Sequence, residues 1–550
     1  MKKILATIAA VLLVIGAGCA NIGKEQAPAA ETAMIDQLIL PAESDGKVQG
    51  LVTYNPFSPS ALTRTWLYEP LMIRNSYTCE MMPWLATGYE WRDPQTLVLQ
   101  LREGVKWSDG KPLTVEDVVF TIQAAKKYPA ADTAGIWTDA LGGAATAVAA
   151  EGNSVVITFD APAPNKLDGI VYEMKILPKH LYGSVGDVTK YVDDKPVGTG
   201  PFVVDSYNGR RLTLVRNPDY WQAELIKVNK LVLEGVFQDP NTAALKLRSG
   251  ELDWFTGDIP NPAVSVRQEG VTDFFYSPAG TTVVAPNNER APMNDPVFRE
   301  ALAYAINRDE ATLKATYGVM KPASQTMLKL PMQAAELPAQ YQESGGTIPF
   351  DPARAEQLLD EAGYRKGPDG KRTDPSGKPL KLVFSVQAGW VDYLAIVDTV
   401  VRNWQAIGIG VKTVTTDPNA VDEQKKSGDF DFVLEYIGGG CIRSREWGTR
   451  LVSNQISDGK TFKNNVSRFR SDEVDKIVAA MEATTDPAEI KKGSDALVDI
   501  FMTEFPVIAM NYAPSRLVYR NADITGWPTE AEPYPVDAPL FVLTHLKAKQ

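Results

Sequence analysis

Apolar and polar residues alternate from Thr96 to Arg102 (TLVLQLR), the period of a half-buried strand. The period lengthens after Thr114. Val118, Val119 and Ile122 form one apolar stripe, Thr114 can cap it, and Asp117 sits three residues on, so a helix opens here. Phe202–Asp205 and Leu212–Arg216 flank Asn208-Gly209, a pair that tolerates the positive φ of a tight turn, which predicts a hairpin. Asp295-Pro296 and Asp351-Pro352 each place a capping carboxylate before a proline at the first helical position. Ala301, Leu302, Ala305 and Ile306 carry the buried face of the first of these helices, and Gly363 ends the second. A helix end at Asn403–Ile407 stops at Gly408, and Val411–Val414 follows as a strand. Helices and strands thus alternate in an α/β pattern, with the strands too scattered for one parallel sheet.

Two loops interrupt this pattern. Gly367–Lys378 is dense in turn residues, and its aspartates do not have the spacing of a calcium loop, so it reads as a solvated turn. Gly438-Gly439-Gly440-Cys441 follows the apolar strand Phe430–Leu434. A glycine run there marks a place where backbone is approached closely, by a ligand or by another backbone.

The first residues are of another kind. Met1–Ala20 has two lysines, an apolar run from Ile4 to Ile15, and small residues before Cys19. This is an export signal, too short for a stable membrane span. It resembles a bacterial lipoprotein signal, which implies lipidation of Cys19, although Gly16 stands where such signals usually have leucine; an ordinary secreted protein is the alternative. Residues 1–18 are then the signal peptide and 19–33 the tether, small, polar and proline-containing. Export permits a disulfide between Cys79 and Cys441, but their pairing depends on geometry and stays open.

The 550 residues carry a net charge of −12, which disfavours a nucleic-acid binder. There are only two histidines, His180 and His545, too few for a histidine metal site, so no metal and no cofactor is expected. Asn454 stands where a phosphate loop ending in Gly459-Lys460-Thr461 would need glycine, and Gly408-Ile409-Gly410 lacks the third glycine of a dinucleotide fingerprint. Asp193-Asp194 is an acid pair of a kind expected by chance among 68 acids. Nothing positive marks a catalytic centre, and no enzyme activity is expected. The chain does hold 11 Trp and 20 Tyr, enough for a core and for flat contact surfaces in a cleft.

Six segments, in order, resemble the family 5 solute-binding proteins of bacterial ABC importers, the oligopeptide/dipeptide-binding type. They are Leu101–Thr121, Val197–Trp221, Leu247–Asp253, Asn288–Arg308 with its DPVFREALAYAINR, Phe350–Tyr364 and Gly428–Asp431. The resemblance covers essentially the whole mature chain. It implies a two-lobed periplasmic-binding-protein-like fold (type II, cluster C) with an extra domain and a hinged cleft. Domain I would comprise 34–75, 187–270 and 505–550, domain II 76–186, and domain III, the second lobe, 271–504, with hinges near 270 and 505. It also implies an exported monomer, periplasmic or at the cell surface, that delivers a solute to permease subunits and is held to the membrane by the lipid on Cys19.

Peptide is the family's usual ligand. Peptide binders of this type place an aspartate after the GDFD strand to meet the peptide amine. Here Glu435–Trp447 has only Glu435 and Glu446, and a buried ammonium needs a partner charge. Asn55–Ala61, Leu67–Met72, Pro83–Ala86, Asp253–Pro260 and Thr525–Pro528 instead resemble a subgroup that binds β-linked oligosaccharides. Candidate ligand contacts are Asn55, Ser58, Trp66, Trp254, Trp390, Tyr436, Gly439, Arg443, Trp447 and Tyr512. For each tryptophan, core packing is the competing role. Trp390 is the strongest candidate, because it lies between a strand and a helix, where α/β clefts bind. Two other classes stay open: a sensory protein presenting its ligand to a membrane receptor, and a secreted hydrolase.

Overall fold

The computed structural model describes residues 33–41, 53–57, 64–235 and 239–549. The export signal, Cys19, the tether and Ser58 lie outside them. The expected elements form for the expected reasons. Thr114 and Asp117 make a reciprocal capping box at the start of the helix Val115–Lys127. Asp295 caps Pro296–Tyr304 through Val297 N, and Asp351 caps Pro352–Glu361 through Arg354 N. Gly209 takes φ +86° in the hairpin between Phe202–Tyr207 and Arg211–Arg216. The helix end seen at Asn403–Ile407 belongs to a longer helix, Val391–Ala406. The turn-rich loop 367–378 is not wholly solvated. Arg372 is buried and donates to the carbonyls of Ile407 and Tyr364 and to Asp360.

Two lobes result. The first is built on two four-stranded sheets. One runs in the order Leu38–Pro41, Lys230–Glu234, Arg211–Arg216, Phe202–Tyr207; the other runs Ala86–Asp93, Thr96–Leu101, Ser154–Phe159, Ala145–Glu151. One continuous core joins them, so the first two expected domains share their apolar interior. The second lobe packs helices on both faces of Phe432–Gly438, Leu382–Gln387 and Val411–Thr416, giving one core on each side.

Two long antiparallel strands, Thr272–Pro286 and Ile508–Arg520, join the lobes. Their outer halves bury Phe275, Leu517 and Val518 in first-lobe cores, and their inner halves bury Val283, Val284, Ile508 and Ala509 in the second. Between these halves Pro278 lies opposite Pro514, and the register slips before Gly280 meets Ala513. Neither proline has an N–H, so the ladder loses donors where the chain passes from one lobe to the other. The family resemblance implies crossings near 270 and 505. The strands change core further along, at Pro278–Gly280 and Ala513–Pro514.

Candidate ligand cleft

Beside this crossing lies a cavity of about 340 Å³ lined from both lobes. Its floor is a row across three adjacent strands. Tyr436 pairs with Thr282, and Thr282 with Asn511, so the three side chains share one sheet face. On this face two second-lobe helices end at the edge of the cavity, and of the row only Tyr436 is exposed, Thr282 and Asn511 being buried. The helix Arg308–Thr316 stops at Tyr317, which takes φ +54°, and Val391–Ala406 starts after Gly389 at φ +84°. Trp390 sits at that start, edge to face with Tyr393 at 5.0 Å. The first lobe contributes Asp258, Ile259, Pro260 and Pro262, and the crossing strands add Tyr276 and Arg516.

The chemistry of this lining is specific. Trp390 is 46% exposed, Tyr317 47% and Tyr436 38%, although large aromatic side chains are normally buried. Clustered exposure of this kind makes the cavity a candidate binding surface. Gly280 makes room for the Tyr436 ring, since a Cβ there would fall 2.6 Å from Tyr436 Oη and 2.5 Å from the Ile437 carbonyl. Asn511 donates to the Tyr512 carbonyl, while its own Oδ1 is buried and meets no donor among the described residues. The residue lines the cavity but is itself buried. Asp258 neutralises Arg516 at 3.0 Å. Burial, then the nearby Asp258, pushes the Asp392 carboxyl above its usual range. Burial likewise pushes the Tyr276 phenol up to about 12.

Of the residues nominated from sequence, Trp390 and Tyr436 line this cavity. The others are placed elsewhere, each for a visible reason. Trp66, Trp254 and Trp527 form a chain of edge-to-face rings inside the first-lobe core, at 6.0 and 5.7 Å. Asn55 is buried and pins the carbonyls of Val188 and Tyr191. Trp447 is fully buried against Phe501. Tyr512 is buried, and its hydroxyl donates to the Leu328 carbonyl. Arg443 is buried on Trp447, donates to the Gly440 carbonyl and pairs with Glu336 at 2.7 Å. The glycine run admits side chains. A Cβ on Gly439 would lie 2.4 Å from the Lys329 stem, and one on Gly440 would lie 1.6 Å from the Glu446 carboxyl. Asp193 is buried and accepts from Tyr68 and Tyr182, a structural role.

Both acids left in the place of the missing aspartate are paired. Glu435 meets Lys425 at 3.1 Å and Arg450 at 3.9 Å, and Glu446 meets Arg74 at 4.0 Å. Cys79 and Cys441 form a disulfide across 362 residues, joining a first-lobe turn to the segment after the glycine run. Thr282, Asn511, Tyr393 and Asp392 carry no motif. They become site residues only through strand register and helix ends.

The model of bacterial extracellular solute-binding proteins, family 5 Middle, matches residues 80–456. The chain belongs to this family. Among solved structures, the periplasmic oligopeptide-binding component of an oligopeptide ABC transporter from Thermotoga maritima is 26% identical. The match has a TM-score of 0.78 and covers 94% of this chain and all of that one. The same Thermotoga protein bound to mannohexaose is 25% identical, with a TM-score of 0.68 and coverage of 95% and 100%. A curated relative from Agrobacterium fabrum, named "Probable peptide-binding protein YejA", is 24% identical over 483 residues, 78% of this chain and 76% of that protein. The two-lobed α/β fold is therefore that of the family 5 solute-binding proteins, which act outside the cytoplasm. No described helix is long and apolar enough to cross a membrane.

Proposed function

We propose that this protein is the extracytoplasmic receptor of an ABC importer. It captures a short oligomeric solute between its lobes, hands it to permease subunits, and catalyses nothing itself. The observation that carries this reading is the exposed aromatic cluster Trp390, Tyr317 and Tyr436, set between two separate cores beside a proline-weakened crossing. Bending at Pro278–Gly280 and Ala513–Pro514 would move the Asp258–Pro262 wall against the Trp390 wall. Ligand contacts made only in the closed form would then select that form. The lipid on Cys19 would keep the receptor, a monomer, beside the permease.

Oligopeptide is the first reading of the ligand, in line with the relatives' names. With Glu435 and Glu446 already paired, a peptide would be held chiefly by its side chains on the aromatic walls. Short β-linked oligosaccharides are the second reading. The neutral row Tyr436–Thr282–Asn511 beside Trp390 favours them, because sugar rings stack on such faces and bond to uncharged groups.

A thermal-shift screen of the protein without its tether separates the two. One panel holds di- to pentapeptides, the other β-linked di- to pentasaccharides. A ligand of the native state at about 100 times its Kd adds about 2.7 kcal/mol of stability. A shift with peptides supports the first reading and a shift with sugars alone replaces it with the second. A ligand-induced shift that survives Trp390→Ala combined with Tyr436→Ala would sink this cleft as the site.

A further inference from the structure

The turn Asn75–Glu80 belongs to the first lobe, whose core it enters through Tyr77, just after the buried strand residue Ile73. It is nevertheless gripped by the second lobe at three points. Lys329 Nζ donates to the Ser76 carbonyl, Gln333 Nε2 donates to Cys79 Sγ at 3.5 Å, and Cys441 is bonded to Cys79. Other polar contacts across the lobes are hydrogen bonds, such as Ser444 Oγ to Asn165 Oδ1 at 2.7 Å and Asn165 Nδ2 to Glu482 Oε1 at 3.0 Å, and the ion pairs Arg74–Glu446 and Arg445–Glu173, each at 4.0 Å. These exchange for water when lobes part. The disulfide does not, and among the described residues it is the one covalent link between lobes besides the crossing strands.

Its placement decides what it does. Gly438 pairs with Gly280 at the crossing, and Cys441 follows three residues later. Three residues at about 3.6 Å each, plus the 5.1 Å between the cysteine Cα atoms, leash Cys79 to within roughly 16 Å of Gly438. Such a link near the hinge permits some opening and limits its extent.

We propose that Cys79–Cys441 is a redox-operated clasp on the cleft: oxidised, it restricts how far the lobes part; reduced, it frees the full opening and speeds solute exchange. The reductant is an extracytoplasmic dithiol. One of its thiolates attacks Cys441 Sγ, the S–S bond breaks, and the electron pair leaves on Cys79 Sγ, where the Gln333 amide already donates. The second thiol then attacks the mixed disulfide and releases Cys441. Two cysteine thiols and the oxidised reductant result, with two electrons and two protons transferred. Both cysteines are part-exposed, so a thiol can reach them.

The inference rests on the hinged-receptor reading, but its test needs no ligand. Small-angle scattering compares the solute-free exported protein as isolated, after dithiothreitol, and as C79S/C441S. The reduced and the doubly substituted proteins are expected to have a radius of gyration roughly 5% above the ~24 Å of a compact chain this long, with unchanged circular dichroism. If the double variant does not fold, the reduced wild-type protein carries the comparison. An equal radius before and after reduction, or free thiols in the protein as isolated, would overturn the clasp. A radius that responds while both ligand panels stay silent would leave the clasp standing and count against the ligand reading alone.

Discussion

The two aromatic clusters of this protein use the same side chains to opposite ends. Trp66, Trp254 and Trp527 pack edge to face inside the first-lobe core and are nearly inaccessible. Trp390, Tyr393 and Tyr436 gather at a helix start and a strand end, with Trp390 and Tyr436 substantially exposed. The first cluster exchanges water for neighbours during folding. The second leaves that exchange unfinished, and a ligand can complete it. Composition cannot tell the two apart. What differs is whether another layer of structure covers the ring.

This contrast breaks most visibly in the core. Trp254→Ala should cost about 3–5 kcal/mol in denaturant unfolding, because it removes a buried ring and leaves a cavity. A cost under about 1 kcal/mol would show that Trp254 is not core.

Next is a carboxyl buried in the first-lobe aromatics. Glu69 Oε1 accepts from Trp84 at 2.6 Å, Tyr220 at 2.7 Å and Trp221 at 3.3 Å. Burial raises its pKa to about 7, against the lowering effect of these donors. The folded protein then holds a proton that the unfolded chain releases above its ordinary pKa of about 4.5. Stability from this group is fully present below about 4.5 and is lost as pH rises towards 7, on the order of 3 kcal/mol in all. Unfolding free energies of wild type and Glu69→Gln, measured from pH 4.5 to 7.5, should therefore diverge. Parallel curves would remove Glu69 as the cause.

The cleft behaves the other way. Trp390→Ala should change stability by less than about 1 kcal/mol, as surface changes do, yet weaken ligand binding by about 2 kcal/mol, the scale of an aromatic anchor. Calorimetry on the ligand found by screening reads both. Asn511→Ala is the smallest expected effect. It trims a buried polar side chain of the cavity lining and should cost about 1 kcal/mol of affinity. No change in affinity would mean that Asn511 plays no part in holding the ligand.

Much of the fold was legible because local chemistry decides it. Asp295-Pro296, Asp351-Pro352 and Asn208-Gly209 set their own caps and turn whatever surrounds them. Trp390 was legible because its position between a strand and a helix is itself a local fact. Thr282 and Asn511 were not, since their alignment with Tyr436 needs three strands in register and a slip between Thr282 and Val283. Trp66 and Trp254 were misplaced for a related reason: sequence shows a large ring, but only tertiary layering shows what covers it. The same holds for Glu435, whose partner Lys425 lies on the helix Pro418–Ser427 and is brought back to the strand by the chain reversal at Gly428.

The central claim is that the cavity lined by Trp390 and Tyr436 is where solute binds. The direct measurement is isothermal titration of the screened ligand into wild type, Trp390→Ala/Tyr436→Ala and Trp254→Phe. The account predicts binding by wild type and Trp254→Phe, and loss of at least tenfold affinity in the cleft variant at an unchanged Tm. Equal affinity in the cleft variant, or loss only in Trp254→Phe, would place the ligand elsewhere and contradict it.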